Sequence, residues 1–427
     1  MAFTPSWGRR INGMEGLRAV AAVSVVVGHV KAHLSLGVEW GPLTWPMYFA
    51  LNGLTLFFAL SGFLLFRPFA SALLTGERFP ILGRYAVNRV LRIFPVYIVI
   101  VLLVSLVLGL AYTAPQGAGQ AESGDMVGYM TDPLLLLTNV TMLQTLFPFS
   151  IKTGLGVAWS LTVELIFYIV MPLLALLAMS IRRRVQGRHS PILALSPAIG
   201  IFLIGMVGKV VKWRIFEDIA PEDWFNSNWG GNWIAVFARS FFAHADLFAF
   251  GMVAAVLVAA FETGRIRHEL AYRFRVIAAV VGIGAAVGSI VVPNFVVASA
   301  FAVACGALIF FVAIPTRSAR PGILARGLEL RPVVYIGVIS YSLYLWHVPV
   351  IWLVERVGWV GPQTPLGLVI NIVVVLAITI AFASVTYYAV EKPALSLKKR
   401  TDRRNADSAP SRPVGAEEGA EGANRVG

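Results

Sequence analysis

The chain has 427 residues, of which 58% are hydrophobic and only 13% charged, so it is far more apolar than an ordinary soluble protein. Apolar runs of roughly 18 to 25 residues recur along the chain, and each is long enough to cross a bilayer as a helix. The short alternating strands of an outer-membrane barrel are missing from the sequence. We therefore predict an all-α integral membrane protein whose principal surroundings are the lipid bilayer.

The formal net charge of +13 raises the question of a nucleic-acid partner. The basic residues lie in short loops between apolar runs, which is the pattern that orients membrane proteins, so we expect no nucleic-acid partner. The single cysteine, Cys305, lies in an apolar run and has no neighbours at zinc-ligand spacing, so we expect no metal.

In chain order, the apolar runs predict ten transmembrane helices, with ends that vary by a few residues. They are 15–34, 46–66, 93–113, 159–180, 191–211, 233–260, 276–292, 294–314, 336–355 and 367–390. The stretch Leu134 to Leu146 is apolar but short, and it either lies on the outer surface or re-enters the membrane, which makes an eleventh segment an alternative.

Clusters of arginine and lysine between these runs place both termini in the cytoplasm. The clusters comprise Arg9 and Arg10; Arg67, Arg78, Arg84, Arg89 and Arg92; Arg182 to Arg184 and Arg188; Arg265 to Arg275; Arg317 to Arg331; and Lys398 to Arg400. Beyond this last cluster, residues 401–427 contain almost no large apolar side chains, and we predict a disordered cytoplasmic tail. The transmembrane domain is thus assigned to residues 1–400.

Ionisable side chains at bilayer depth cost about 2.5 to 3.5 kcal/mol each, so every one is a candidate functional residue. The candidates are Arg18, His29, Glu164, His244, Asp246, His347 and Glu391. Because His244 and Asp246 are two residues apart, they point to different sides of a helix, which argues against a shared catalytic role.

Arg18 and His29 share one face of the first helix. They are eleven residues apart, close to three helical turns, so ~16 Å separates them along the helix axis. Arg18 lies near the cytoplasmic boundary, where a side chain that merely reaches for the interface is as good an explanation as function. His29 is too deep for that explanation and is the stronger candidate.

Glu164 lies at the same predicted depth as His29, about five residues inside the outer end of its helix. A histidine that is oriented by a carboxylate is a common general base, able to take a proton from a hydroxyl that attacks a carbonyl. The alternative is a purely structural hydrogen bond between the two side chains.

His347 ends the stretch from Ser340 through Tyr344, which is unusually polar and aromatic for a membrane helix and predicts a cavity lining. Interhelical hydrogen bonding is the alternative for these residues. Arg89 and Arg92 are one turn apart before the third helix and form a compact cationic site suited to phosphate oxygens, unless they only orient the helix.

Motifs from residue 14 to about 393 resemble the acyltransferase-3 family of bacterial membrane O-acyltransferases. The motifs are Glu15 to Ala19 with His29, Phe57 to Leu64 with Ser61, Arg89 to Tyr97, Trp159 to Tyr168, Ser340 to His347, and Glu391 to Pro393. Two positions depart from the family pattern: Glu15 stands where aspartate is usual, and Leu165 replaces a second acidic residue after Glu164.

The resemblance implies transfer of an acyl group, commonly acetyl from cytoplasmic acyl-CoA, to a hydroxyl of a sugar, glycolipid or glycosylated small molecule. It also implies that Arg18 and His29 matter for activity and that Arg89 and Arg92 serve the donor. The absence of a second carboxylate after Glu164 points to a different acceptor.

We hypothesise that the donor phosphates dock near Arg89, Arg92 and Arg18, and that His29 is the general base, oriented by Glu164. The residues predicted to line the cavity are Ser61, Tyr344 and His347. A covalent acyl-histidine or acyl-serine intermediate is an alternative course. The rival functional class is a secondary transporter or acyl-group translocator that uses the same intramembrane polar residues.

Overall fold

The computed structural model describes residues 11–39, 47–48, 51–77, 79–114, 126–186, 190–315 and 321–396. The helices of these segments, numbered in chain order, are α1 (Met14–Leu34), α2 (Gly53–Thr75), α3 (Leu82–Leu102), α4 (Pro133–Val140), α5 (Trp159–Arg184), α6 (Ser190–Glu217), α7 (Trp224–Trp229), α8 (Trp233–Ala238), α9 (Asp246–Glu262), α10 (Ala271–Gly288), α11 (Val297–Ala313), α12 (Ile323–Leu328), α13 (Arg331–Val338), α14 (Ser340–Arg356) and α15 (Pro365–Thr386). Within the same segments, β1 (Ala111–Tyr112) and β2 (Val127–Gly128) form one small antiparallel ribbon. The prediction of an all-α membrane fold is confirmed.

By length and composition, eight helices of the described chain can cross a membrane, or nine spans if α13 and α14 count together. These two helices meet at a bend of 74°. The predicted span at 233–260 is not one continuous helix. It is divided into α8, a short turn of 3₁₀ helix at Phe241–Ala243, and α9, which is 17 residues long.

Two other helices have bounds that differ from the predicted ones. The second span begins at Gly53 instead of 46 and runs on to Thr75, while the third begins at Leu82 and continues as a π-helix through Leu108. In the stretch Leu134 to Leu146, the eight residues of α4 make the only α-helix among these described residues, and a helix of that length is too short to cross a bilayer.

Several predictions concern positions outside the described residues, including the disordered tail. These positions are Arg9, Arg10, Arg78, Arg188, Arg317, Arg320, 398–400 and 401–427.

Helix α9 packs closely along α2 because both helices carry glycine at the crossing. A β-carbon on Gly62 would lie 2.2 Å from the carbonyl oxygen of Phe248, and one on Gly251 would lie 1.8 Å from the carbonyl oxygen of Ala59. Small residues permit such backbone contact between membrane helices, where van der Waals packing replaces the hydrophobic effect as the driving force. This crossing sets the position of Ser61, which is adjacent to Gly62.

Helix α1 packs against α2, α13, α14 and α15, so the helix that carries Arg18 and His29 is surrounded by much of the bundle. At its start, a β-carbon on Gly337 would lie 1.9 Å from the carbonyl oxygen of Glu15, so α13 touches the backbone of α1. The bend that follows α13 then directs α14 along α1. This arrangement brings the Ser340 to His347 stretch to the same face of α1 as the two predicted site residues.

Candidate functional site

A polar cavity of about 250 Å³ lies between α1, α2, α3, α5 and α14. Its polar side chains are Arg18, Ser61, Arg89, Arg92, Ser160, Glu164, Tyr168, Ser340, Tyr341 and Tyr344. Leucine, isoleucine and phenylalanine side chains from α2, α3 and α5 complete the wall. Three arginines and a carboxylate around one space inside an apolar bundle are a costly arrangement, so this cavity is the candidate functional site.

Ser61 and Glu164 both line the cavity and contact each other. The Ser61 hydroxyl donates a hydrogen bond to the Glu164 carboxylate, joining α2 to α5. Tyr168 lies one turn beyond Glu164 on the same helix face and interacts with the carboxylate electrostatically. The carboxylate therefore sits beside two hydroxyl groups within reach of the arginines.

Arg18 enters the cavity from α1. Its side chain is only 17% exposed, and its guanidinium lies 3.4 Å from the carboxylate of Glu15, one turn earlier. The charges of Arg92, Glu391 and Glu164 also act on it. Arg18 therefore lies inside the bundle, where it lines the cavity among other charged groups.

Arg89 and Arg92 enter the cavity from successive turns of α3. The guanidinium carbon of Arg89 lies 5.9 Å from the centre of the Tyr168 ring. Its Nε atom is buried and has no hydrogen-bond partner among the described residues. Arg89 and Arg92 thus lie together in the wall of the cavity, and a planar guanidinium is suited to bidentate contact with an anionic ligand.

Three histidines form a second cluster beside the cavity. The ring of His29 lies 4.8 Å from the ring of His347 in an edge-on arrangement and 6.1 Å from that of His33. His33 in turn contacts the ring of Trp352 at 4.7 Å. His347 is fully buried, and its Nε2 atom has no hydrogen-bond partner among the described residues.

The hydrogen bonds of His29 and His347 indicate which ring nitrogen carries the proton when each imidazole is neutral. His29 Nδ1 lies 3.0 Å from the carbonyl oxygen of Val25, and His347 Nδ1 contacts the carbonyl oxygen of Tyr344. A carbonyl oxygen only accepts, so each Nδ1 carries the proton and each neutral Nε2 carries the lone pair. Both imidazoles are therefore oriented with a basic nitrogen at Nε2.

Tyr344 both lines the cavity and contacts the histidine cluster. Its hydroxyl lies 2.7 Å from Ser160 Oγ and 2.9 Å from the carbonyl oxygen of Val157, while its ring lies 5.4 Å from the ring of His347. The tyrosine therefore connects the cavity to His347, which in turn contacts His29.

Six of the eight predicted site residues line the cavity, namely Arg18, Ser61, Arg89, Arg92, Glu164 and Tyr344. His29 and His347 are not among its lining residues. The structure joins Glu164 to Ser61 by a hydrogen bond and places the ring of His29 beside that of His347. Equal depth in the membrane does not decide which side of a helix bundle a residue faces, so depth alone did not indicate these two contacts.

Sequence reasoning did not select Ser160, Tyr168 or Tyr341 as site residues. Ser160, Glu164 and Tyr168 are spaced by four residues and occupy one face of α5, so helical periodicity through Glu164 would have found the other two. Tyr341, whose hydroxyl donates to the carbonyl oxygen of Ile93 at 2.9 Å, becomes a lining residue only because α14 folds against α3.

Other buried polar groups lie apart from the cavity. Lys209 Nζ lies 2.7 Å from Asp246 Oδ2 and 2.6 Å from Ser299 Oγ, linking α6, α9 and α11. His244 instead contacts the carbonyl oxygen of Ser240 and the ring of Trp159, so it and Asp246 have different partners, as their spacing predicts. Glu391 accepts a 2.7 Å hydrogen bond from Ser342 Oγ.

In the described parts of the chain, no group of three or more His, Cys, Asp or Glu side chains is arranged to hold a metal ion.

These features define a multi-pass, all-α membrane protein with a cationic and hydroxyl-lined cavity inside its bundle. The sequence model of the acyltransferase-3 family, an acyltransferase domain, matches residues 11–388. The chain therefore belongs to the acyltransferase-3 family, and its general activity is acyl transfer. Comparison with curated proteins and with solved structures found no match.

Proposed function

We propose that the protein is an O-acyltransferase of the cytoplasmic membrane that moves an acyl group, acetyl in the simplest case, from cytoplasmic acyl-CoA to a hydroxyl of a sugar or glycoconjugate. The observation that carries the proposal is the cavity in which Arg18, Arg89 and Arg92 face Ser61 and Glu164. Membership of an acyltransferase family supplies the reaction class, and the cavity supplies a place for an anionic donor.

The three arginines are the donor-binding residues of this proposal. Acyl-CoA is a polyanion, and a guanidinium group can bind its phosphate oxygens through two parallel hydrogen bonds. Because the guanidinium is planar, little side-chain entropy is lost for each hydrogen bond formed. Arg89, whose Nε has no partner in the described structure, supports this role because a buried guanidinium gains most from an added acceptor. The thioester then lies deeper, toward Ser61 and Tyr344.

His29 is the general base of the proposed reaction. The acceptor hydroxyl attacks the thioester carbonyl carbon while its proton passes to Nε2 of His29. The tetrahedral intermediate then collapses, the carbon–sulfur bond breaks, and the leaving thiolate takes the proton back from the imidazolium. The tautomer that the Val25 carbonyl imposes supports this role, because it presents a basic Nε2.

His347 is a positioning residue in this scheme. Its ring packs edge-on against His29, and its own Nδ1 is held by the backbone of Tyr344, so it restrains the base from the cavity side. His29 does not line the cavity, but its side chain is only partly buried, whereas His347 is fully buried. The acceptor hydroxyl therefore reaches the base from the exposed side of His29.

The Ser61–Glu164 hydrogen bond favours a second mechanism for the same activity. In that course Glu164 takes the proton of Ser61 and the serine oxygen attacks the thioester carbonyl carbon. The carbon–sulfur bond breaks, and the leaving thiolate takes the proton from Glu164. The acceptor hydroxyl then attacks the acyl-serine and gives its proton to Glu164, which returns it to the serine oxygen as the serine ester bond breaks. The two mechanisms differ in the residue whose loss abolishes turnover.

The test is transfer of labelled acetyl from acetyl-CoA to candidate glycans by the protein purified in detergent. Wild type is compared with His29→Ala and Glu164→Gln, and with two matched controls, His268→Ala and Glu217→Gln, which alter exposed side chains away from the cavity. We expect His29→Ala to lose about 100-fold or more in kcat while the controls keep wild-type rates. Full activity of folded His29→Ala would refute the general-base role. Activity that requires a sealed vesicle would support the transporter class instead.

A further inference from the structure

A second cavity, of about 790 Å³, lies where α2 ends and α3 begins. The two cavities share the side chains of Leu64, Leu65 and Arg89. The two cavities therefore adjoin each other at one arginine and two leucines. None of the residues assigned above to proton transfer lies in this second space.

One face of the first two turns of α3 forms the wall of the second cavity. Ile81, Arg84, Tyr85, Asn88 and Arg89 recur at intervals of three and four residues, which places them side by side along the helix. The face thus carries two guanidinium groups, one amide and one phenol. A single carboxylate, Glu77, lines the cavity from the preceding loop.

Arg89 and Tyr85 on this wall differ from two other arginines at the same end of the bundle. Arg182 and Arg265 are committed to structure, since they donate to the carbonyl oxygens of Leu73 and Leu74 at the end of α2. By contrast, the Nε of Arg89 and the hydroxyl of Tyr85 are buried and have no hydrogen-bond partner among the described residues. A buried donor of this kind gains free energy when a ligand oxygen reaches it.

The second cavity also has an apolar part. Pro68, Pro80 and Ile81 line it, and Ile81 is 66% exposed. Tyr85 stands edge-on to Phe69 at 5.7 Å, which holds the phenol ring in place. A flat apolar group packs favourably on such a surface while its anionic part meets the arginines.

We propose that the second cavity binds the adenosine bisphosphate end of the acyl-CoA donor, a conclusion that rests on the proposed function. Arg84 and Arg89 contact phosphate oxygens, the Tyr85 hydroxyl and the Asn88 amide supply further donors, and the adenine packs near Pro80 and Ile81. Glu77 accepts from the free ribose hydroxyl. The pantetheine arm passes Leu64 and Leu65 and carries the thioester to Ser61 and Tyr344.

The division of the donor between two cavities changes the roles of Arg18 and Arg92. Arg89 lines both cavities and contacts the phosphates, whereas Arg18 and Arg92 line only the polar cavity and are assigned to the thioester end of the donor. The polar cavity alone, at about 250 Å³, is small for a whole nucleotide thioester, and the adjoining second cavity supplies the additional volume.

The test compares two donors, acetyl-CoA and a short acetyl thioester that lacks the nucleotide, with Arg84→Ala and Tyr85→Phe. Arg183→Ala is the matched control, because Arg183 is an exposed arginine at the same end of the bundle that lines neither cavity. We expect Arg84→Ala to raise the KM for acetyl-CoA and to leave the KM for the short thioester unchanged. The ratio of the first KM to the second should therefore rise about tenfold. The control should leave this ratio at the wild-type value.

A direct measurement separates this inference from the proposed function. Binding of adenosine bisphosphate to the purified protein is measured without any acceptor, and we expect Arg84→Ala and Tyr85→Phe to weaken it. If the wild type binds adenosine bisphosphate in this way but transfers no acyl group, the inference stands and the proposed function fails. Failure of the wild type to bind adenosine bisphosphate would overturn the inference, as would equal changes in KM for both donors. Displacement of bound adenosine bisphosphate by anionic lipid alone would also overturn it.

Discussion

The imidazole rings of His29 and His347 lie 4.8 Å apart, edge to face, although their helices are separated by more than three hundred residues of sequence. Each ring is held by a backbone carbonyl at Nδ1, so each presents its basic nitrogen away from its own helix. Two histidines held in this way act as one unit if His29 is the base and His347 positions it.

A double-mutant cycle on this pair tests that unit. We expect His29→Ala to lower kcat by about 100-fold or more and His347→Ala by a smaller factor, because only the first removes the proton acceptor. The double variant should be no slower than His29→Ala, since residues that act together give strongly non-additive losses. The measurement is kcat of acyl transfer on protein that elutes as a single species.

His268→Ala, which removes an exposed histidine, controls for the loss of imidazole as such. Losses that multiply in the double variant would contradict the pairing and assign the two histidines to separate steps.

Tyr344 contacts both the polar cavity and His347, and its removal should open the cavity toward the histidines. For Tyr344→Ala we expect a higher ratio of acyl-CoA hydrolysis to acyl transfer, because more water then reaches the partly buried His29 from the side of the cavity. The measurement is release of free coenzyme A with and without a glycan acceptor.

Tyr344→Phe is the matched variant, since it keeps the ring and removes only the hydroxyl that contacts Ser160. It should keep the wild-type ratio and lose about 1 kcal/mol of stability from the hydrogen bond. An unchanged ratio in Tyr344→Ala would show that the tyrosine does not shield the base.

Ser61 distinguishes the two mechanisms. If His29 acts directly on the acceptor, Ser61→Ala should lower kcat by no more than about tenfold, because the bond to Glu164 exists in the ground state as well as in the transition state. The measurement combines kcat with rapid quenching after labelled acetyl-CoA is added. Label that remains bound to wild-type protein but not to Ser61→Ala, together with complete loss of turnover, would favour the acyl-serine course.

The Lys209–Asp246 pair should contribute to stability and not to chemistry, since it lies outside both cavities. Lys209→Met leaves a buried carboxylate unpaired, and we expect it to lower the free energy of unfolding by about 3 to 5 kcal/mol. The double variant Lys209→Met with Asp246→Asn should recover part of this loss. The measurement is denaturant unfolding in mixed micelles, with kcat per folded molecule unchanged.

Arg214→Met alters an exposed side chain of the same helix and should change stability by no more than about 0.5 kcal/mol. Loss of turnover in folded Lys209→Met would contradict a purely structural role and connect this cluster to the reaction.

Much of the site was predictable because burying an ionisable side chain in a membrane costs free energy, so each such side chain is a candidate functional residue. The pairs Arg18 with His29 and Arg89 with Arg92 were recognisable from their depth and helical spacing, and the structure brings three of these four residues to one cavity. The helical class of the fold followed from the same cause, since a backbone in lipid must satisfy its own hydrogen bonds.

Continuity of the helices was less predictable. Hydropathy treats 233–260 as one span, but an apolar segment that packs inside the bundle tolerates turns, and the structure divides it before Asp246. The bend of 74° between α13 and α14 is likewise invisible to an average over apolar residues, although it directs His347 toward His29.

By itself, the sequence determined the membrane location, the helical class, the acyltransferase family and six of the ten polar residues that line the cavity. Only the tertiary structure decided partners: Glu164 with Ser61, His29 with His347, and Arg89 at the junction of two cavities. The physical reason is that the free-energy cost of burying a charged side chain is a property of that residue alone, so it can be recognised from the residue's position in an apolar run. Pairing depends instead on rotation about each helix axis, which close contacts such as those of Gly62 and Gly337 establish between distant segments.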